Sequence, residues 1–196
     1  MSATKKFGGA GLRGQSAGET SICTVAVSGS GLTYRGYDVV DLAENTTFEE
    51  VAYLLLHQKL PNSQELKDYI EKLKSLRGLQ PELRNALEVI PKTSHPMDVL
   101  RTGCSVLGNL EQEEGFLNQT DHADRMLSAF PSIINYWYQF SHHGKRIDTE
   151  TNDDTIGGHF LHLLHGKKPS QLHKQVMSVS LILYAEHEFN ASTFAA

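Results

Sequence analysis

His187 is the residue of this 196-residue chain whose setting most invites chemistry. It stands in Leu181-Ile-Leu-Tyr-Ala-Glu-His187-Glu-Phe-Asn190-Ala-Ser192, four residues beyond Leu183. That spacing predicts that it continues the buried stripe of a helix. Near a helix C-terminus the local field favours a protonated imidazole, while burial opposes it. Such a ring suits donation of a hydrogen bond to a carbonyl or carboxylate. The pattern equally fits a core histidine satisfied by a backbone carbonyl, and burial by itself implies no function. Phe189-Asn190-Ala191-Ser192 breaks the helix, and Ser192-Thr193 reads as the N-cap of another. A corner between helices exposes backbone N–H groups that suit carboxylates. Asn190 and Ser192 therefore either line a carboxylate site or act as caps, and composition does not separate the two.

Other candidates are weaker. His159-x-x-His162-x-x-His165 lies beside Asp153 and Asp154, but three-residue spacing spreads the rings over about 120° of a helix. Zinc sites on one helix use H-x-x-x-H with a further ligand from elsewhere. Leucines fill the gaps, so a packed interface with polar histidine tips fits better, and no metal is assigned. Cys104, with His95 upstream, reads as an inert thiol inside an apolar helix. Gly103 and Gly108 in that run are expected to permit close helix packing. Lys67, Lys72, Lys74 and Arg77 read as a solvated face partnered by Glu65, Asp68 and Glu71. Gly8-Gly9, Gly11 and Gly14 match no phosphate loop, and no dinucleotide motif is present.

The elements that must position these residues are mostly helical. Ile22–Val27 and Leu32–Tyr37 flank Ser28-Gly-Ser-Gly31 and predict a small hairpin over residues 22–37. Helices are expected from about residue 47. Thr46/Glu49 and Thr47/Glu50 both match capping boxes, and Pro61-Asn-Ser-Gln-Glu65 restarts a helix with Leu66, Tyr69, Ile70, Leu73 and Leu76 on one stripe. Pro81 and Pro96 open two more. Residues 120–141 form a long helical pattern that Pro131 should kink or split. A helix through Phe160–Leu164 stops at Gly166. Pro169-Ser170 begins a final helix with Leu172, Val176, Val179 and Leu183 as its inner face. Residues 1–18 read as a loose Gly-rich arm, leaving 19–196 as one helical unit.

Composition agrees with a soluble globular chain: 39% hydrophobic, 21% charged, net charge −5. The acidic balance argues against nucleic acid and anionic membranes as partners, and the longest apolar run, Val51–Leu56, is far too short to span a bilayer. Cys23 and Cys104 fit no ligand spacing, which suggests a reducing cytoplasm without disulfides.

Four segments together resemble the citrate synthase family, in the form of its 2-methylcitrate synthases. They are Leu32-Thr-Tyr-Arg-Gly-Tyr-Asp38 with Phe48-Glu-Glu-Val-Ala-Tyr-Leu-Leu-Leu56 and Leu60-Pro61; His95-Pro-Met-Asp-Val-Leu-Arg101; Asp154-Thr-Ile-Gly-Gly-His-Phe-Leu-His-Leu-Leu-His-Gly166; and the His187 stretch. The resemblance runs from Gly11 onward. It implies a mainly α chain: the large helical domain of the citrate synthase fold with a small N-terminal β-hairpin, truncated before the small domain. It implies condensation of propionyl-CoA, or acetyl-CoA, with oxaloacetate, in a homodimer, with acyl-CoA as substrate and no cofactor. It assigns His187 to the oxaloacetate side, with Asn190 and Ser192 in the same motif. The family's catalytic histidine in Pro-x-His-Gly-Gly, its second histidine and its catalytic aspartate have no counterpart here and are expected beyond Ala196. The 196 residues alone are therefore expected to be inactive, since such groups act as a unit. The competing reading is a non-catalytic helical dimerisation or regulatory module of the same fold.

Overall fold

The computed structural model describes residues 18–25, 31–112 and 119–190. Residues 1–17 of the expected arm, residues 26–30 of the expected hairpin, and Ser192 lie outside them. The described residues begin with a three-stranded antiparallel sheet, β1 (Cys23–Val25), β2 (Leu32–Tyr34) and β3 (Tyr37–Asp38), in that order. Cys23 pairs with Tyr34 and Tyr34 with Tyr37. The predicted hairpin is thus one strand short. Arg35 and Gly36 both take positive φ (50° and 88°), the two-residue turn whose twist suits a hairpin.

Among the described residues eight helices follow: α1 (Val39–Asn45), α2 (Phe48–His57), α3 (Ser63–Ser75), α4 (Pro81–Glu88), α5 (Pro96–Leu110), α6 (Gln119–His143), α7 (Ile156–His165) and α8 (Gln171–Leu183). Helix formation begins earlier than predicted because the Asp38 carboxylate caps α1 at the Val40 N–H, 2.7 Å away. Of the two candidate capping boxes only Thr47/Glu50 forms. Glu49 is instead buried, and one of its oxygens accepts from the Ile156 N–H at 2.8 Å. Asn62 and Ser170 cap α3 and α8 through their side chains, and Gly166 ends α7 in the left-handed region. Pro131 does not split α6, which runs unbroken from Gln119 to His143.

Two apolar clusters make the core. One joins the sheet to α1, α2 and α3 and to Ile156 and Ile182; the other packs α4 and α5 on α6. Helix α6 touches α3, α4, α5 and α7 and so bridges both. At Gly103 a Cβ would stand 2.6 Å from Ile133 Cγ2, so α5 meets α6 closely there, whereas at Gly108 the space is open.

Between the clusters runs a buried polar seam that the sequence reading missed. Arg77, taken above for a solvated residue, is 1% exposed, and its Nη1 donates to the Thr151 carbonyl at 2.7 Å. Lys72 and Lys74 are likewise tied down, to Asp121 and Asp124 and to Glu71 and Asp154. His159 is fully buried, with Nε2 3.1 Å from Ser132 Oγ and Nδ1 3.0 Å from Thr151 Oγ1. Ser132 Oγ also reaches the Thr149 carbonyl, and Thr151 Oγ1 already accepts from Arg77. The hydroxyl of Thr151 is therefore left to donate to Nδ1, which assigns the Nε2–H tautomer. Burial, with Arg77 and His162 nearby, pushes the His159 pKa down to about 3 against the pull of Asp153.

Unfolding releases His159 to an ordinary pKa of about 6.5. The unfolded chain then binds a proton that the folded chain refuses, so this contribution to stability is complete above pH 6.5. It falls as the pH drops, until it levels off near 3. Replacing His159→Gln is expected to flatten the stability–pH curve in that window by up to about one proton, measured by urea unfolding of the intact protein at several pH values. Gly103→Ala should destabilise by about 1–3 kcal/mol, because overpacking against Ile133 outweighs the helix-propensity gain of about 1 kcal/mol. Thermal and denaturant midpoints check this.

Candidate functional site

Helix α8 ends at Leu183, and Tyr184 is its C-cap. His187 therefore lies past the helix on an irregular segment, and it is exposed. The expectation that it continues a buried stripe is wrong, for a concrete reason. The α8 face that turns inward carries Lys174, Met177, Ser178, Leu181 and Ile182, while Leu172, Val176 and Leu183 face outward. Four residues beyond Leu183 is thus a step along the outer face. An exposed imidazole is free to meet a ligand, which a satisfied core histidine is not. A core histidine satisfied by a backbone carbonyl does not fit this exposure.

The segment is irregular but well anchored. The Tyr34 hydroxyl, on β2 and 0% exposed, donates to the Ile182 carbonyl at 2.9 Å and accepts from the Glu186 N–H at 3.4 Å. Cys23 Sγ, on β1, accepts from the Glu188 N–H at 3.0 Å and lies 3.6 Å from Glu186 Oε1. Burial raises the Cys23 pKa and the neighbouring Glu186 charge adds to this, against the opposing bond from the Glu188 N–H. The protonated thiol can then donate to one glutamate while accepting from the backbone of the other. Glu188 has φ +65°, a conformation uncommon for a residue with a side chain. Phe189 packs towards Gly18, where a Cβ would approach its ring to 3.3 Å. Asn190 is exposed at the end of the described segment, and Ser192 lies outside it. The structure thus describes His187 and Asn190 within one short segment, and leaves the third candidate untouched.

The remaining sequence candidates separate. His159 belongs to the polar seam and His165 is exposed, so the three histidines share no centre. No group of three or more His, Cys, Asp or Glu side chains suited to a metal occurs among the described residues. Cys104 is part-buried with its Sγ 3.8 Å from Met126 Sδ, a sulfur contact inside a helix pair. Asp153 is pushed up by burial but held below the usual carboxylate range overall by Lys174 and by bonds from Thr155. That pair ties the start of α7 to α8. Among the described residues no helix is long and apolar enough to cross a membrane.

Comparison with known proteins agrees with this architecture. The chain is 70% identical, over all 196 of its residues, to 2-methylcitrate synthase of Shewanella oneidensis, 52% of whose length it covers. It is 34% identical over 191 residues to citrate synthase of Heyndrickxia coagulans, covering 95% of this chain and 50% of that one. The chain thus spans about half the length of the curated relatives it matches. Citrate synthase from Thermotoga maritima matches with a TM-score of 0.80 and 33% identity over 95% of this chain and 49% of its own. A ternary complex of carboxymethyl coenzyme A and oxaloacetate with citrate synthase from Thermoplasma acidophilum matches at 0.84 and 26% identity, over 94% and 49%. Residues 11–196 match the family described as citrate synthase, C-terminal domain, and on that match the chain belongs to the citrate synthase family.

Proposed function

We propose that the intact protein condenses propionyl-CoA with oxaloacetate to give 2-methylcitrate and CoA, with His187 on the oxaloacetate side. What carries this reading is the 70% identity to a 2-methylcitrate synthase along the whole chain. The position of His187 supports it: an exposed imidazole on a segment pinned to the sheet, able to donate a hydrogen bond to a 2-oxo acid. Such a donor helps catalysis only if its direction is fixed before substrate arrives, because an oriented dipole needs no reorganisation during reaction. Asn190 and Ser192 are proposed to support the same carboxylate site. The reaction uses acyl-CoA as substrate and needs no cofactor, and we place it in the cytoplasm. The catalytic histidine and aspartate of the family are proposed to lie outside these residues. A polypeptide limited to residues 1–196 is therefore expected to release no CoA.

A homodimer is part of the same proposal. The outer face of α8 offers Leu172 and Val176, 66% and 56% exposed, with Leu183 and Tyr184 beyond them. A row of this kind in one helix is the usual material of an obligate interface. His159 takes no part in such a surface, because it is sealed in the core.

CoA thiol release from the intact protein tests the reaction. Turnover is expected with propionyl-CoA, and acetyl-CoA should be used as well, since one methylene discriminates by only about 1–3 kcal/mol. His187→Gln should lower kcat/KM for oxaloacetate on the order of a hundredfold, and an unchanged value would remove His187 from the site. For the dimer, Val176→Glu should convert the intact protein to monomer in sedimentation, because it buries an unpaired charge. A wild-type monomer at high concentration would count against the interface.

A further inference from the structure

The His187 segment owes its shape to the N-terminal sheet rather than to the helix that precedes it. Helix α8 has ended at Leu183, so helical hydrogen bonding no longer fixes the backbone at His187. In its place, the N–H groups of the residues immediately before and after the histidine are both taken by side chains from β1 and β2. The Glu186 N–H goes to the Tyr34 hydroxyl and the Glu188 N–H to the Cys23 sulfur. Tyr34 also ties off the last turn of α8 through the Ile182 carbonyl. Its hydroxyl thus spans the helix end and the loop with one oxygen. Glu188, at φ +65°, holds a conformation that persists only where surrounding contacts over-determine it. The Cys23 sulfur supplies one such contact at that residue.

We infer that Tyr34 and Cys23 are positioning residues for His187, fixing the backbone on both sides of the imidazole and so setting affinity for the 2-oxo acid. This rests on the assignment of His187 to the oxaloacetate site. The two side chains lie 152 and 165 positions before the loop N–H groups they hold. Both are buried and touch backbone atoms of the loop, so neither reaches the surface on which His187 is exposed. Their effect must therefore pass through the direction of the imidazole. Loss of either should weaken use of oxaloacetate and leave recognition of the acyl-CoA alone.

Steady-state kinetics on the intact protein, varying each substrate separately, tests this. Tyr34→Phe keeps the buried ring and removes both bonds. It is expected to raise the oxaloacetate KM about tenfold, the factor of one modest interaction, while the acyl-CoA KM stays within about twofold. Cys23→Ala should act in the same direction, and Cys23→Ser should restore affinity because its hydroxyl can again accept from the Glu188 N–H. If Tyr34→Phe does not fold, the Cys23 pair decides. The inference is overturned if the oxaloacetate KM is unmoved, if both KM values rise together with a fall in Tm, or if serine rescues no better than alanine. When His187→Gln impairs oxaloacetate use but the Tyr34 and Cys23 variants do not, positioning alone fails. A wild-type protein with no oxaloacetate-dependent turnover sinks the site assignment and the positioning together.

Discussion

The buried polar seam is the constraint that the rest of the fold must satisfy. Apolar faces tolerate sliding and repacking, so two hydrophobic clusters joined by α6 would not by themselves fix how α3 and α7 sit on α6, or how α8 sits on α7. Polar groups in the interior do fix it. Arg77 must reach the Thr151 carbonyl, His159 must lie between Ser132 and Thr151, and Glu49 must meet the Ile156 N–H. Each partner lost leaves a buried group unsatisfied, at a cost of about 1–3 kcal/mol. A shift of one residue in α7 would break several at once. Asp153 and Lys174 carry the same registration on to α8, and therefore to the segment that follows it. The neutral state of His159 belongs to this arrangement: two hydroxyls satisfy an uncharged ring, and Arg77 beside it opposes a second charge.

The small sheet completes what the seam begins. The seam fixes where α8 runs, and Tyr34 fixes where it stops being a helix, by binding the Ile182 carbonyl in the last turn. A helix end leaves carbonyls without internal partners. Here the Ile182 carbonyl accepts from the Ala185 N–H and, in addition, from the Tyr34 hydroxyl, so the helix terminus and the loop beyond it share an anchor on the sheet. Arg35 secures the anchor in turn, with its guanidinium on the Leu55 carbonyl and its backbone N–H on Ile22. The three short strands would be marginal alone. They gain their stability from packing on α1, α2 and α8, and what they provide is a rigid support for His187.

Local signals in the sequence proved accurate where the governing interaction is itself local. Thr47, Asn62, Ser170 and Gly166 each act on the first or last turn of their own helix, so spacing alone reveals them. Helix α1 escaped because Val39 and Val40 are β-branched and follow a strand, and only the Asp38 cap turns that segment into a helix. Of the kink or split expected at Pro131, the split does not occur: its neighbours pack into the second cluster on both sides, and tertiary burial overrides the lost hydrogen bond. Glu49 and Ile156 meet across 107 positions, and Tyr34 meets Glu186 across 152. No periodicity carries such pairs. The seam and the support for His187 were accordingly invisible, although Glu49, Arg77, His159 and Cys23 each drew notice for another reason.

The outer stripe of α8 shows the other limit of pattern. Leu172, Val176 and Leu183 recur at helical spacing, and that much was read correctly. Their burial was not, because amphipathicity reports that a face is apolar without saying which surface it meets. The inward face of α8 is the mixed one, with Lys174 on Asp153 and the Ser178 hydroxyl accepting from the Phe48 N–H. Beside these polar groups Met177, Leu181 and Ile182 also turn inward, so the helix is apolar on two faces, with Leu172, Val176 and Leu183 on the outer one. An outer apolar stripe of this kind gains free energy when it is covered. Each aliphatic side chain so covered contributes about 1.5–3 kcal/mol relative to exposure, and three or four along one helix supply a drive towards association that scattered surface leucines do not. The same helix therefore faces two tasks. Its inner side fixes the position of the His187 segment through polar registration, and its outer side is the surface through which we propose that the subunits meet.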